Sequence, residues 1–205
     1  MKRNRRLTGR SLKRVLGVLV AALLAIAAQA FTADRPALVG GLSVVKVIDG
    51  DSLRLSDGKD VRLIGVDCPE FTNKYRNAAN AKRLGVNAKA FGGYAEKAHQ
   101  FLNRTAAGKQ VALEYDSANE ANAHRDTYGR VLAYVHLDGD NLNARMIREG
   151  FCFAYRRFEF KYRDAFIAYE AEAKAQHKGF WAHPRRTVDR DQPDLAPQFE
   201  GIVIK

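Results

Sequence analysis

Residues 43–70 read SVVKVIDGDSLRLSDGKDVRLIGVDCPE. Leu53 and Leu55 alternate with Ser52, Arg54 and Ser56, and an Asp57-Gly58 pair separates this run from KDVRLIGVD, a short-range hairpin signal. Three consecutive antiparallel strands are expected, with corners at Asp49-Gly50 and Asp57-Gly58. The third ends in Asp67-Cys68-Pro69-Glu70, where Pro69 forbids continuation of a sheet ladder. Asp, Pro and Glu are ordinary turn formers, but such an ending also suits a strand that delivers acids to a metal site. The second reading needs partners elsewhere in the chain.

Residues 71–89, FTNKYRNAANAKRLGVNAK, carry five basic residues (Lys74, Arg76, Lys82, Arg83, Lys89), no acid and little periodicity, so a long basic loop is expected. A helix follows over about 90–104, with Phe91, Tyr94, Ala95, Ala98, Phe101 and Leu102 on one broad face. Strands are expected at 110–115 (QVALEY) and 130–137 (RVLAYVHL), separated by the polar stretch SANEANAHRDTYG. The segment NLNARMIREG reads as a short amphipathic helix stopped by Gly150, 151–155 as extended, and 160–177 as a longer helix ending near Gly179. Trp181 closes the domain, residues 31–42 read as a linker and 183–205 as a tail. Three strands, a helix, two strands and further helices predict an α+β, mainly β fold: a closed five-stranded barrel of the oligonucleotide-binding type with about three helices, with a generic α+β domain as the alternative.

The N-terminus qualifies the overall charge. MKRNRRLTGRSLKR holds seven basic residues and no acid, the apolar run from Val15 to Ala28 follows, and Ala28-Gln29-Ala30 is a small-x-small cleavage site. That is the pattern of a signal peptide over residues 1–30, and the run is shorter than the roughly 20 residues that span a bilayer. Export to a periplasm or the exterior is therefore expected, with an uncleaved membrane tether as the alternative. The full chain has 34 Lys and Arg against 23 Asp and Glu, a net charge of +11, whereas 27 against 23, about +4, remain after residue 30. Nucleic-acid binding thus has to be argued from where the positive residues sit. The remaining length suits one domain with a proper core, and two cysteines allow at most one disulfide.

Asp51 follows the Asp49-Gly50 corner and Asp67 ends the returning strand. Pairing of Ser56 with Lys59 would set Asp51 opposite Ile64 and leave Asp67 roughly 10 Å away along a straight strand. Gly50 and barrel curvature could close that gap. Two carboxylates, a backbone carbonyl and water suit a hard cation such as Ca²⁺, although Asp49, Gly50 and Asp51 are also good turn residues. Arg62 and Arg130 supply guanidinium groups of the kind that stabilise charge on a phosphate, and Glu70 a carboxylate that can align or deprotonate water. Each arginine taken alone reads first as a solvated strand-edge residue, and only the combination points to a phosphate.

The segments VIDGDSLRL, VRLIGVDCPE and RDTYGRVLAYV, in this order and separated by a helix, resemble the staphylococcal nuclease-like (thermonuclease) family from about Val44 to Trp181. The resemblance implies an oligonucleotide-binding barrel that cleaves DNA and RNA phosphodiester bonds with Ca²⁺. It places Asp51, Asp67 and the Cys68 carbonyl on the metal, Glu70 as general base, Arg62 and Arg130 on the phosphate, and Tyr128 and Tyr155 in the nucleotide pocket. Thr127 stands where the family pattern has a lysine. In the family the stretch holding Cys152 runs beside the end of the third strand, which implies that Cys68 and Cys152 can pair; two separate buried thiols are the alternative. A nucleic-acid substrate is the expected partner, with no stable protein partner and a monomeric chain. The competing reading is a non-catalytic nucleic-acid-binding barrel, which has no need of acids beside a phosphate.

Overall fold

In the computed structural model, which describes residues 38–184, β1 (Leu38–Val47) serves two neighbours. It pairs antiparallel with β2 (Ser52–Leu55) through Val44↔Leu55 and Val47↔Leu53, and with β5 (Gln110–Glu114) through Leu38↔Glu114 and Leu42↔Val111. Irregularities between Val39 and Leu42 and between Val44 and Lys46 bend the strand enough to do both. β3 (Asp60–Leu63) pairs antiparallel with β2 and parallel with β6 (Val131–Leu137), and β6 pairs antiparallel with β5. The ring β1-β2-β3-β6-β5 is thereby closed: an oligonucleotide-binding barrel of five strands, with the short β7 (Asp140–Asn141) beyond β6.

The returning strand is broken at Gly65. Its continuation, β4 (Val66–Asp67), leaves the barrel and pairs with β8 (Phe153–Ala154). Gly65 has φ 77°, and a Cβ there would lie 2.5 Å from the Phe160 ring, so the break requires glycine. The hairpin register differs by one residue from the expectation. Ser52 faces Arg62, and Leu63 donates its N–H to the Asp51 carbonyl at 2.8 Å, so Asp51 stands opposite Leu63 rather than Ile64. A three-residue loop, Ser56-Asp57-Gly58 with Gly58 at φ 82°, replaces the two-residue turn. One residue of slip exchanges the faces of a strand, and here it puts Ser52 and Arg62 side by side.

The basic segment is not a loop. Residues Lys74–Leu84 form α1, capped by the Asn73 side chain, which accepts the Arg76 N–H, and ended by Gly85 at φ 71°. Only Asn77, Ala81 and Leu84 of this helix are buried, too narrow a stripe to show as hydrophobic periodicity. α2 (Ala88–Ala106) is longer than expected because Asn87 caps it early. With α3 (Leu142–Arg148) and α4 (Arg163–Ala175) there are four α-helices among the described residues, against about three expected, and two 3₁₀ turns, at Ser117–Asn122 and Gly179–Ala182.

β1 begins inside the segment read as linker, and Val86 bridges Pro184, a residue read as tail. The expected signal peptide, the start of the linker and residues 185–205 lie outside the described residues. Leu53, Leu55, Val61, Leu63, Leu113 and Ala133 fill the barrel with Leu102 of α2, while Phe91, Phe153, Phe180 and Trp181 make a second cluster beside it. Among the described residues no helix is long and apolar enough to cross a membrane.

Candidate active site

The Asp49-Gly50-Asp51 corner is held by its own first residue: Asp49 Oδ1 accepts the Asp51 N–H at 3.0 Å, an Asx turn. Gly50 is pressed against α2 and the end of β4, and a Cβ there would lie 2.8 Å from Ala98 Cβ and 3.0 Å from Cys68 Cβ. The contact brings the corner to the strand end. Asp51 Oδ2 accepts the backbone N–H of Cys68 at 3.1 Å, and Oδ1 accepts the Ser52 hydroxyl at 3.3 Å. Asp51 and Asp67 are each 4% exposed, so both carboxylates need compensating charge. Arg62 on β3 supplies it to both: Nη1 is paired with Asp51 Oδ1, and Nη2 lies 3.7 Å from Asp67 Oδ1 while donating to the Val66 carbonyl at 3.3 Å. Burial pulls this guanidinium below its ordinary pKa, and attraction to Asp67 and Asp49 opposes that.

Glu70 is fixed through its backbone by α1. Asn77 Oδ1 accepts the Glu70 N–H at 2.8 Å and Asn77 Nδ2 donates to the Glu70 carbonyl at 2.7 Å. One turn of helix carries a third arginine into the site. Arg76 Nη2 lies 2.8 Å from Asp67 Oδ1 and Nη1 2.9 Å from Glu70 Oε1, so one guanidinium spans both carboxylates. Burial opposes its charge, but Asp67 and then Glu70 outweigh burial and raise its pKa.

Arg130 enters from the turn before β6. Asp126 Oδ1 accepts the N–H groups of Tyr128 and Arg130, both at 2.9 Å, and Asp126 Oδ2 pairs with Arg130 Nε at 2.7 Å. Arg130 Nη1 donates to Ser52 Oγ at 3.3 Å, which links it through one hydroxyl to Asp51. Tyr128 is 84% exposed, with the Arg130 guanidinium 5.5 Å from its ring centre. Tyr155 follows β8, donates its N–H to the Gly65 carbonyl at 2.9 Å and sets its ring 5.6 Å from Phe158. β8 is pinned to α4 by Glu170, which accepts the Ala154 N–H at 2.8 Å and both Arg156 Nη groups at 2.9 Å.

Cys68 and Cys152 are joined by a disulfide with Cα atoms 4.2 Å apart, so no free thiolate stands at the site. Among the described residues no three His, Cys, Asp or Glu side chains gather into a metal cage. A cation here would draw on Asp51, Asp67, the Cys68 carbonyl and water. That set is all oxygen, and its two buried carboxylates carry the charge a hard divalent ion needs; the residues present fit such an ion.

The geometry thus joins Asp51, Arg62 and Asp67 directly, Glu70 through Arg76 and Arg130 through Ser52, with Tyr128 and Tyr155 on loops at the rim. Arg76, Asn77 and Ser52 were not singled out from sequence. Arg76 was one of five similar charges, and only the Asn73 cap, three residues earlier, could have announced the helix that aims it.

A family model described as "Staphylococcal nuclease homologue" matches residues 60–183, from β3 to the last turn. The chain is similar to a thermonuclease of Staphylococcus hyicus, 31% identical over 178 residues covering 81% of this chain and 95% of the relative. It is 33% identical to a thermonuclease of Staphylococcus intermedius over 142 residues, 67% of this chain and 74% of the relative. The endonuclease YncB of Bacillus subtilis is 32% identical over 150 residues, 71% of this chain and 63% of the relative. By fold, by the extent of the family match and by these relatives, the chain belongs to the staphylococcal nuclease family.

Proposed function

We propose that this phosphodiester-hydrolysing nuclease is exported, takes Ca²⁺ at Asp51 and Asp67, and cleaves DNA, RNA or both as a monomer. The observation that carries the reading is the convergence of two buried carboxylates on one arginine at the Gly50 corner. An acid pair beside a phosphate repels it unless a cation intervenes, and a mere binding barrel gains nothing from burying one.

Asp51, Asp67 and the Cys68 carbonyl would hold the ion, which supplies charge neutralisation at the phosphate. Arg62 is fixed between the acids and presents its guanidinium to charge that develops on the phosphate oxygens; Arg130 does so from the facing loop. Glu70 is at the site's edge with its side chain 31% exposed, where it can order a water and take its proton. Tyr128 and Tyr155 offer ring faces on which bases can stack. Export is supported by the leader-like residues 1–30, and the Cys68–Cys152 bridge suits an oxidising compartment.

The test is incubation of the purified chain lacking residues 1–30 with single-stranded DNA, duplex DNA and RNA, with Ca²⁺ or chelator, followed by end-group analysis. Cleavage with Ca²⁺ and none with chelator is expected. Robust cleavage in excess chelator overturns the metal-assisted reading, and binding without cleavage under every metal supports the non-catalytic barrel.

A further inference from the structure

Three arginines meet the acidic cluster, and they are not equivalent. Arg62 has a side chain 16% exposed and rises from a barrel strand, so it stays with the acids. Arg130 is paired with its own loop's Asp126. Arg76 is on the outer helix α1, its side chain is 42% exposed, and both of its ion pairs are with residues assigned here to the reaction: Asp67 and Glu70. Its contact with Asp67 Oδ1 is the shorter of the two arginine contacts at that oxygen, 2.8 Å against 3.7 Å for Arg62.

A divalent ion on Asp67 therefore meets a guanidinium already seated on the same carboxylate. Two cations on one carboxylate group repel, and inside a partly buried site that repulsion is screened less than at the surface. Arg76 is the group able to yield. Its long side chain can swing into water, and α1 keeps its place without the ion pairs because Asn77 holds the Glu70 backbone twice and Ala81 and Leu84 are buried. The Glu70 backbone likewise stays where it is when Arg76 leaves, since Asn77 holds it.

We propose that Arg76 is an internal counter-cation that sets the metal affinity of this site: it holds Asp67 and Glu70 together, and a divalent ion binds by displacing it from Asp67. The inference rests on the assignment of Asp51 and Asp67 as metal carboxylates. Helix α1 is thereby a control element for the cation.

The test is Ca²⁺ binding by calorimetry on chelator-treated protein without nucleic acid, comparing the parent with Arg76→Gln, Arg76→Lys and Lys74→Gln. Arg76→Gln is expected to bind Ca²⁺ about tenfold or more tightly, because both the competing ion pair and the local charge are gone. Arg76→Lys is expected to fall between, since an ammonium cannot span two carboxylates as a fork does. Lys74→Gln removes the same charge from an exposed position on the same helix and is expected to change the affinity about twofold or less. In melting experiments Arg76→Gln is expected to melt lower than the parent with chelator and to gain more from Ca²⁺. Equal Ca²⁺ affinity in the parent and Arg76→Gln overturns this inference alone, as does an equal gain in Lys74→Gln, which would make the effect one of general field. Absence of Ca²⁺ binding in all four proteins overturns it together with the metal assignment.

Discussion

Asp51 Oδ2 accepts the backbone N–H of Cys68 at 3.1 Å, across 17 residues of chain. Along a straight hairpin the two positions would stay apart; they meet because the chain turns at Gly50 before β2 and leaves the barrel at Gly65 after β3. This one hydrogen bond orients a carboxylate of the corner toward the strand end that carries Asp67.

The corner is consequently intolerant of a side chain. In Gly50→Ala the added methyl would press on Ala98 Cβ at 2.8 Å and on Cys68 Cβ at 3.0 Å, neither of which is the end of a flexible chain. A loss of about 1–3 kcal/mol in urea unfolding is expected. Activity at a temperature where the variant is folded should fall as well, because relief of the clash moves Asp51 away from Cys68.

Arg62 and Arg130 separate stability from turnover. Arg62→Ala leaves Asp51 and Asp67 buried with their shared guanidinium missing, so a loss of several kcal/mol in chelator, on the order of 3, is expected, with partial recovery in Ca²⁺. Arg130 has its side chain 29% exposed on a loop that its own backbone hydrogen bonds close, so Arg130→Ala should melt near the parent. Its turnover is expected to drop about 100-fold, as for loss of one charge-stabilising donor, with little rescue by lysine. Near-normal turnover in both variants would overturn the phosphate assignment.

Asn77 positions the proposed base without touching substrate. Asn77→Ala removes both hydrogen bonds to the Glu70 backbone and leaves two polar groups to find water, a loss of about 1–3 kcal/mol. Turnover should fall while the affinity for Ca²⁺, measured separately, changes little. Asn77→Asp keeps the acceptor for the Glu70 N–H but sets a carboxylate against the Glu70 carbonyl, and it should fare worse than a neutral isostere would.

The barrel was legible because its strands alternate and its corners are spelled Asp-Gly, and the acids were legible because they flank those strands, Asp51 just before β2 and Asp67 at the end of β4. The hairpin register was not, since Asp57-Gly58 fits a two- or a three-residue loop and only packing decides which. Helix α1 escaped for a related reason: with Asn77, Ala81 and Leu84 as its whole buried face, it has almost no amphipathic signature, and what fixes it are an Asn73 cap and a glycine stop. Arg76 was therefore visible as a charge but not as a partner of Asp67. Contacts between residues nine apart across a turn depend on the helix that sequence periodicity failed to show.

Away from the site, Asp116 gives a pH dependence of stability. It is buried and accepts the Tyr134 hydroxyl at 2.5 Å, the Lys161 N–H at 2.8 Å and the Ala118 N–H at 3.0 Å. Burial alone would push its carboxyl up, but these donors outweigh it and hold the pKa below the ordinary value. A depressed folded pKa contributes stability that is present above the unfolded value of about 3.9 and is lost as pH falls through the folded pKa. Tyr134→Phe removes the nearest donor and returns Asp116 toward its ordinary pKa. The variant should lose about 1–3 kcal/mol near neutral pH and less in strong acid, where Asp116 is protonated in both proteins; equal losses at both would exclude this linkage.

The Cys68–Cys152 bridge spans 84 residues and lies directly under the Gly50 corner, with Cys152 Sγ 3.8 Å from the Gly50 carbonyl oxygen. It ties the end of β4 to the entry of β8, two elements otherwise joined by a two-residue ladder. Restricting the unfolded chain over a loop of this length contributes up to about 4 kcal/mol. Mass spectrometry of the exported protein under non-reducing conditions should therefore show both thiols absent, and two free thiols would refute the bridge. Cys68→Ser should lower the melting temperature by several degrees or more. The side chain of Cys68 faces the bridge while only its backbone is needed by the acids, through the N–H on Asp51 and the carbonyl proposed for the metal. Cys68→Ser should accordingly keep most of its metal-dependent cleavage below the melting point. If cleavage disappears while the variant is still folded, the bridge is part of the geometry of the site and not only of its stability.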